Sequence, residues 1–206
     1  ALAGITFTDT TVIVSDTQTA IQNADFVALK TAGVDIVDSS SDTLNVNTTQ
    51  ATAGIDFVTG DVVTVVDTAN NLVTNIGSYG ANVDELDADD TNVSLSVAQA
   101  NTLNTNGTVF VAGDVVTITD TQANINGANF TTLKNVGVDR VDVSGTDAIS
   151  VTVAQANVGL TFVDSTVTVL DSKTAIEAAT FADLVSKGVD IVDSTSDVLS
   201  VSVTQA

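Results

Sequence analysis

A β-solenoid of about eight stacked coils, mainly β with short helices, is the fold this sequence predicts, and three observations predict it. A unit of about fifty residues recurs four times along the 206-residue chain. Each unit divides into two related halves. Within each half, apolar residues alternate with small polar ones over four to six positions, the period of a strand with one buried face.

The long repeat is read from fixed positions. Gln-Ala follows a Val-rich stretch at Gln50-Ala51, Gln99-Ala100, Gln155-Ala156 and Gln205-Ala206, at intervals of 49, 56 and 50 residues. The same register places Phe7, Phe57, Phe110 and Phe162, and a strand-ending Asp at Asp16, Asp67, Asp120 and Asp171. A second set, Phe26, Phe130 and Phe181, is followed by Leu29, Leu133 and Leu184 and then by Gly33, Gly137 and Gly188. The chain is thus one array over residues 1–206, with repeats at about 1–51, 52–100, 101–156 and 157–206. The second repeat carries Ile76-x-x-Tyr79 and Asn82 where the others have Phe-x-x-Leu and Gly, so its helix is expected to be the most irregular.

The half-repeat follows from Gly33-Val34-Asp35-Ile36-Val37 with Thr43-Leu44-Asn45-Val46, which resembles Gly54-Ile55-Asp56-Phe57-Val58 with Val62-Val63-Thr64-Val65. Coils then start at Gly4, Gly33, Gly54, Asn82, Gly107, Gly137, Gly159 and Gly188. Each is expected to hold two short strands, as the alternation in Val93-Ser94-Leu95-Ser96-Val97 illustrates. The longer coils add a helical turn or two, because Phe26 and Leu29 share one helical stripe and Gly33 suits a left-handed cap. A coil of this length cannot bury its apolar face alone, whereas stacking aligns Phe, Ile, Val and Leu in columns. A four-bladed β-propeller is the alternative, with four strands per repeat. Strands within a blade have no reason to resemble each other in pairs, and these do.

Composition narrows function. The 26 acidic and 5 basic side chains give a net charge of −21, which excludes the Lys/Arg clusters that nucleic-acid binding needs. Histidine and cysteine are absent, and with them zinc–thiolate sites and Ser-His-Asp or Cys-His catalysis. A pair of carboxylates is what remains for a hydrolase, and Tyr79 alone offers an aromatic platform for a sugar ring, so an enzyme is not expected. At 44% hydrophobic residues the chain is expected to fold rather than behave as an acidic disordered tail, and no apolar run approaches the roughly 18 residues of a membrane helix. The start at Ala1 reads as a cut within a longer polypeptide. With no polar capping coil at either end, end-to-end self-association is expected.

The acids are 24 Asp against 2 Glu and recur as Val-Asp-x-x-Asp, with further Asp at Asp42, Asp90, Asp147 and Asp197. Candidate cation ligands are Asp35, Asp38, Asp56, Asp84, Asp87, Asp89, Asp139, Asp142, Asp190 and Asp193. Two readings stand side by side: these acids cap turns and keep the array soluble, or some of them bind divalent cations. Stacking at about 4.8 Å is expected to bring Asp35, Asp56 and Asp84 into one column, where like charges repel by about 1 kcal/mol even at water's dielectric. Five basic side chains cannot neutralise 26 acids, so hard cations are the natural counterions.

The succession Gly-Val-Asp-x-Val-Asp, Leu-Ser-Val-Ser-Val-x-Gln-Ala, Gly-x-x-Phe resembles the tandem repeats of very large bacterial secreted and surface proteins of the adhesin and biofilm-matrix kind. The resemblance spans the whole chain. It implies an extracellular structural segment (stalk, matrix or filament) and, as the cation, calcium. A calcium- or glycan-binding module of a surface protein is the alternative, for which the stretch from Asp84 to Asp90 is the one departure from the repeat that offers a unique site.

Overall fold

The computed structural model describes residues 5–196, 198–203 and 205, so Gly4, Asp197 and Ala206 of the repeat reading lie outside it. The fold is mixed α/β, with helix and strand in similar measure rather than strand predominating. Two compact units divide the chain: residues up to Val93 with Thr102–Asp114, and Ser94–Asn101 with the residues from Val115 onward.

The first unit holds β1 (Ile13–Asp16), α1 (Gln18–Gln22), α2 (Phe26–Ala32), β2 (Ile36–Ser39), β3 (Thr43–Val46), α3 (Thr48–Ala51), β4 (Asp56–Phe57), β5 (Val62–Asp67), α4 (Ala69–Asn75) and β6 (Glu85–Ala88). The next strand and helix, β7 (Asn92–Leu95) and α5 (Val97–Asn106), carry the chain across the division, and β8 (Val109–Phe110) belongs to the first unit again. In the second unit follow β9 (Val115–Asp120), α6 (Gln122–Gly127), α7 (Phe130–Asn135), β10 (Val138–Val143) and β11 (Ala148–Val151). It ends with α8 (Val153–Asn157), β12 (Thr161–Phe162), β13 (Thr166–Asp171), α9 (Lys173–Glu177), α10 (Phe181–Ser186) and β14 (Ile191–Ser194).

Each unit contains two sheets, ordered β1-β2-β4 and β3-β5-β6-β8 in the first, β7-β9-β10-β12 and β11-β13-β14 in the second. Strands pair in parallel, each with its counterpart one coil on: Leu44 lies beside Val63, Val65 beside Leu86 and Leu86 beside Phe110. Parallel neighbours need a crossover, and the short helices provide it. The chain alternates between sheets, entering β4 of one sheet between β3 and β5 of the other. Inward residues therefore align coil on coil, as the repeat positions require.

The core is the inward row of each strand. Val37, Leu44, Val63, Val65 and Leu86 are fully buried, as are Val116, Ile118, Val141 and Val169 in the second unit. Phe26 and Phe57, from the two Phe sets, meet with ring centroids 6.3 Å apart. Phe26, Phe57, Phe110 and Phe130 are buried, whereas Phe7, Phe162 and Phe181 are only half-buried.

Two departures from the expected elements have local causes. Helices also occupy the shorter coils, because Asn47 and Thr152 open capping boxes with Gln50 and Gln155 that turn the alternating stretch into α3 and α8. In the second repeat a single helix, α4, stands where the other repeats have a pair. Asn82 takes the left-handed conformation that Gly33 and Gly137 adopt in the other repeats, with φ 65°, and its Nδ2 donates to the Phe57 carbonyl at 2.7 Å.

Candidate functional site

What recurs along the described residues is a set of polar clips between coils. The first clip is the Val-Asp carboxylate. Asp35, Asp84, Asp139 and Asp190 each accept, through Oδ2, the backbone N–H of Val12, Val63, Val116 and Val167 at 2.9–3.0 Å. Each partner lies one coil back in the sequence.

A second clip is buried. Asp61, Asp114 and Asp164 accept the N–H of Ser39, Ala88 and Val143, residues at the ends of β2, β6 and β10, at 2.8–3.0 Å. All three are 6% exposed. The Oδ1 of Asp164 has no partner, and burial, opposed by the Val143 N–H and reinforced by Asp142 and Asp147, raises its pKa. Asp164 lines an open groove with Phe162, Ser165, Lys187 and Asp190.

The strand-ending Asp makes the third clip. Its Oδ1 takes the next residue's N–H, as in Asp67 with Thr68, Asp120 with Thr121 and Asp171 with Ser172. Its Oδ2 takes the first N–H of the preceding coil's helix: Thr48, Val97 and Val153 at 3.0–3.2 Å. That donor has no partner within its own helix, and a carboxylate suits the positive end of the helix. Burial opposes ionisation of Asp67 and Asp120, but hydrogen bonds from the Asn71 and Asn124 side chains and from the Thr68 and Thr121 N–H outweigh it and hold both carboxyls below the ordinary value.

The Gln of three Gln-Ala pairs closes the fourth. Gln155 Oε1 accepts the Thr152 N–H while its Nε2 donates to the carbonyls of Ile125, Asn126 and Ala128, at the end of α6. Gln50 bridges Asn47 to Gln22 and Ala24, and Gln205 bridges Ser202 to Glu177 and Ala179, in the same way. The adjoining Ala51, Ala100 and Ala156 are fully buried, which leaves no room for a larger side chain.

The candidate cation ligands fall into separate environments. Asp35, Asp84, Asp139 and Asp190 serve the first clip, and Asp56 accepts the Ala81 N–H at 3.0 Å. Asp38, Asp87, Asp142 and Asp193 lie on outward positions of β2, β6, β10 and β14, registered beside Ser15, Val66, Thr119 and Leu170 rather than beside another acid. Asp89 is exposed in the turn after β6. The expected column of Asp35, Asp56 and Asp84 does not form. Asp35 and Asp56 adjoin one sheet, with their carboxylates turned to opposite neighbours, and Asp84 leads into the other sheet. Among the described residues no three acids form a group that would hold a metal ion.

Asp61, Asp114 and Asp164 are coil-joining carboxylates the spacing argument missed; their signal was the Phe-x-x-x-Asp or Phe-x-Asp spacing. No family model, curated protein or solved structure matches the chain.

Proposed function

We propose that the chain is a structural repeat segment, a β-solenoid serving as stalk, matrix or filament in a secreted or cell-surface protein, with no catalytic role. The observation that carries this reading is the repetition of the clips. The same carboxylate-to-amide and carboxamide-to-carbonyl bonds recur at successive coils, so the polar side chains are spent on joining coils rather than on one unique pocket. Parallel pairing of coil to coil supports the solenoid over the propeller, whose blades are antiparallel sheets. The acidic surface recruits divalent cations, calcium foremost, as counterions at the outward Asp38, Asp87, Asp142 and Asp193. Negative-stain electron microscopy and small-angle scattering of dilute protein test the reading: rod-shaped particles are expected, and compact globular ones would overturn it.

A further inference from the structure

We propose that the groove beside Gly159 binds a uronate sugar, with Lys134 and Lys187 taking the carboxylate and Asp164 and Asp190 accepting ring hydroxyls. The site goes beyond the array role, because it stands where the fourth repeat departs from the others. Lys187 occupies the position held by Ala32, Ala81 and Val136, one residue before Gly33, Asn82 and Gly137. The loop after β12 is two residues shorter than its counterparts in the second and third repeats, Phe162-x-Asp164 against Phe57-x-x-x-Asp61 and Phe110-x-x-x-Asp114. In the first two repeats the Phe7 and Phe57 N–H donate to the Ala32 and Ala81 carbonyls at 2.7 and 3.3 Å. Phe162 and Lys187 make no such bond, and a groove of about 500 Å³ lies between their segments.

Two ammonium groups converge there. A β-carbon on Gly159 would lie 3.5 Å from the Lys134 Nζ and 4.0 Å from the Lys187 Nζ, so both crowd one turn. One lysine at such a turn has a structural explanation. Lys134 donates to the Val158 carbonyl at 3.0 Å, at the end of α8, and Lys30 holds the same place beside Gly54, where it pairs with Asp35 at 3.6 Å. Lys187 is the additional one, and its side chain has no hydrogen bond or ion pair among the described residues. Two like charges brought together in a chain with five basic side chains call for an anion between them.

The rest of the groove selects the anion. The net charge of −21 disfavours a dianion such as phosphate more than a singly charged carboxylate. Asp190, whose Oδ2 holds the Val167 N–H, and Asp164, whose Oδ1 has no partner at the floor, both line the groove. A bare ion leaves these acceptors unused, whereas a carboxylate carried on a hydroxyl-bearing ring uses them. Burial, with Asp142 and Asp147 beside it, raises the Asp164 pKa, which suits a hydroxyl partner over an ammonium and argues against an amino acid. Phe162 is half-buried, where Phe57 and Phe110 are 1% and 4% exposed, so its ring gives the sugar's C–H face an apolar wall.

The test is saturation-transfer NMR of the full chain, with chelator present, against methyl galacturonoside and methyl galactoside, which differ only in carboxylate against hydroxymethyl. The uronoside is expected to bind and the galactoside not. Lys187→Ala, at a position where Ala32 and Ala81 show that alanine fits, is expected to bind the uronoside about tenfold more weakly. Lys30→Ala removes the same charge from the other unit and is expected to bind as the wild type does. The uronoside is also expected to slow acetylation of Lys187 and not of Lys30, a readout that needs no variant. A methyl digalacturonoside separates the two sources of such a ring: tighter binding than the single ring marks a unit of a polysaccharide, equal binding a free sugar. No binding of the uronoside, equal weakening by both substitutions, or competition by glycine at the same concentration overturns the site. Rod-shaped particles that bind no uronoside still leave the array reading standing.

Discussion

The carboxylate of Asp120 accepts the backbone N–H of Val97 at 3.0 Å across 23 residues of sequence. One oxygen thereby caps the helix α5 while the other holds Thr121, so a single ionised group ties strand, helix start and neighbouring coil together.

Acid should loosen this tie. Asp67 and Asp120 have folded pKa values below 3.8, so the stability they contribute is present above about pH 3.8 and is lost as pH falls through their lower folded values. Asp164, raised by burial, runs the other way and is relieved by protonation. Denaturant midpoints between pH 6 and pH 2 for the wild type and for Asp120→Asn test the sign: the wild type should lose more stability than the variant, and parallel curves would refute the assignment.

Gln155 separates capping from burial. Gln155→Ala strands the Ile125, Asn126 and Ala128 carbonyls and opens the α8 capping box, at a cost of about 1–3 kcal/mol. Gln155→Glu instead points a carboxylate at those carbonyls, which raises its folded pKa. Its protonated form can still donate, so that variant should be nearer wild type in mild acid and fall further behind as pH rises. A loss independent of pH would count against the bridging geometry.

Phe57 sits 1% exposed against Phe26. Phe57→Ala should cost about 3–5 kcal/mol by urea denaturation. An unchanged midpoint would remove the ring from the core.

Tyr79 is the single tyrosine in a chain without tryptophan, so its ionisation can be read directly by ultraviolet absorbance. Burial pushes its pKa up from 10.0 to about 12, and its hydroxyl donates to the Leu72 carbonyl at 2.8 Å. The fold favours the neutral phenol, so this contribution is complete below pH 10 and fades as pH rises toward 12. A midpoint near 10 would show the ring free in solvent.

Cation dependence distinguishes screening from binding. Melts in millimolar calcium and in sodium chloride of equal ionic strength with chelator should differ by several degrees if Asp38, Asp87, Asp142 and Asp193 recruit calcium. Coincident melts would leave those acids as solubility devices.

Repeat positions, the inward rows and the irregular second repeat were legible in sequence because burial forces the same residue type at the same place in every coil. The helices of the shorter coils were legible too, in Asn47-x-x-Gln50, Ser96-x-x-Gln99 and Thr152-x-x-Gln155, but alternation in Val93–Val97 conceals them. Val97 and Val153 continue the strand rhythm and yet stand at the first position of a helix. The use of Asp35 or Asp84 was not legible, since a carboxylate that accepts a backbone N–H leaves no mark on the identity of its partner. Charge counting therefore placed these acids in facing columns, where the fold turns each one to an amide.

That indifference to the partner's identity has an evolutionary reading. Asp84 grips the amide of Val63 and Gln155 the carbonyls of α6 without reading a side chain, so a coil accepts any neighbour that brings a backbone and an apolar inward row. Whole repeats can then be duplicated, deleted or exchanged by recombination without a matching change next door, and length becomes a trait that selection adjusts one repeat at a time.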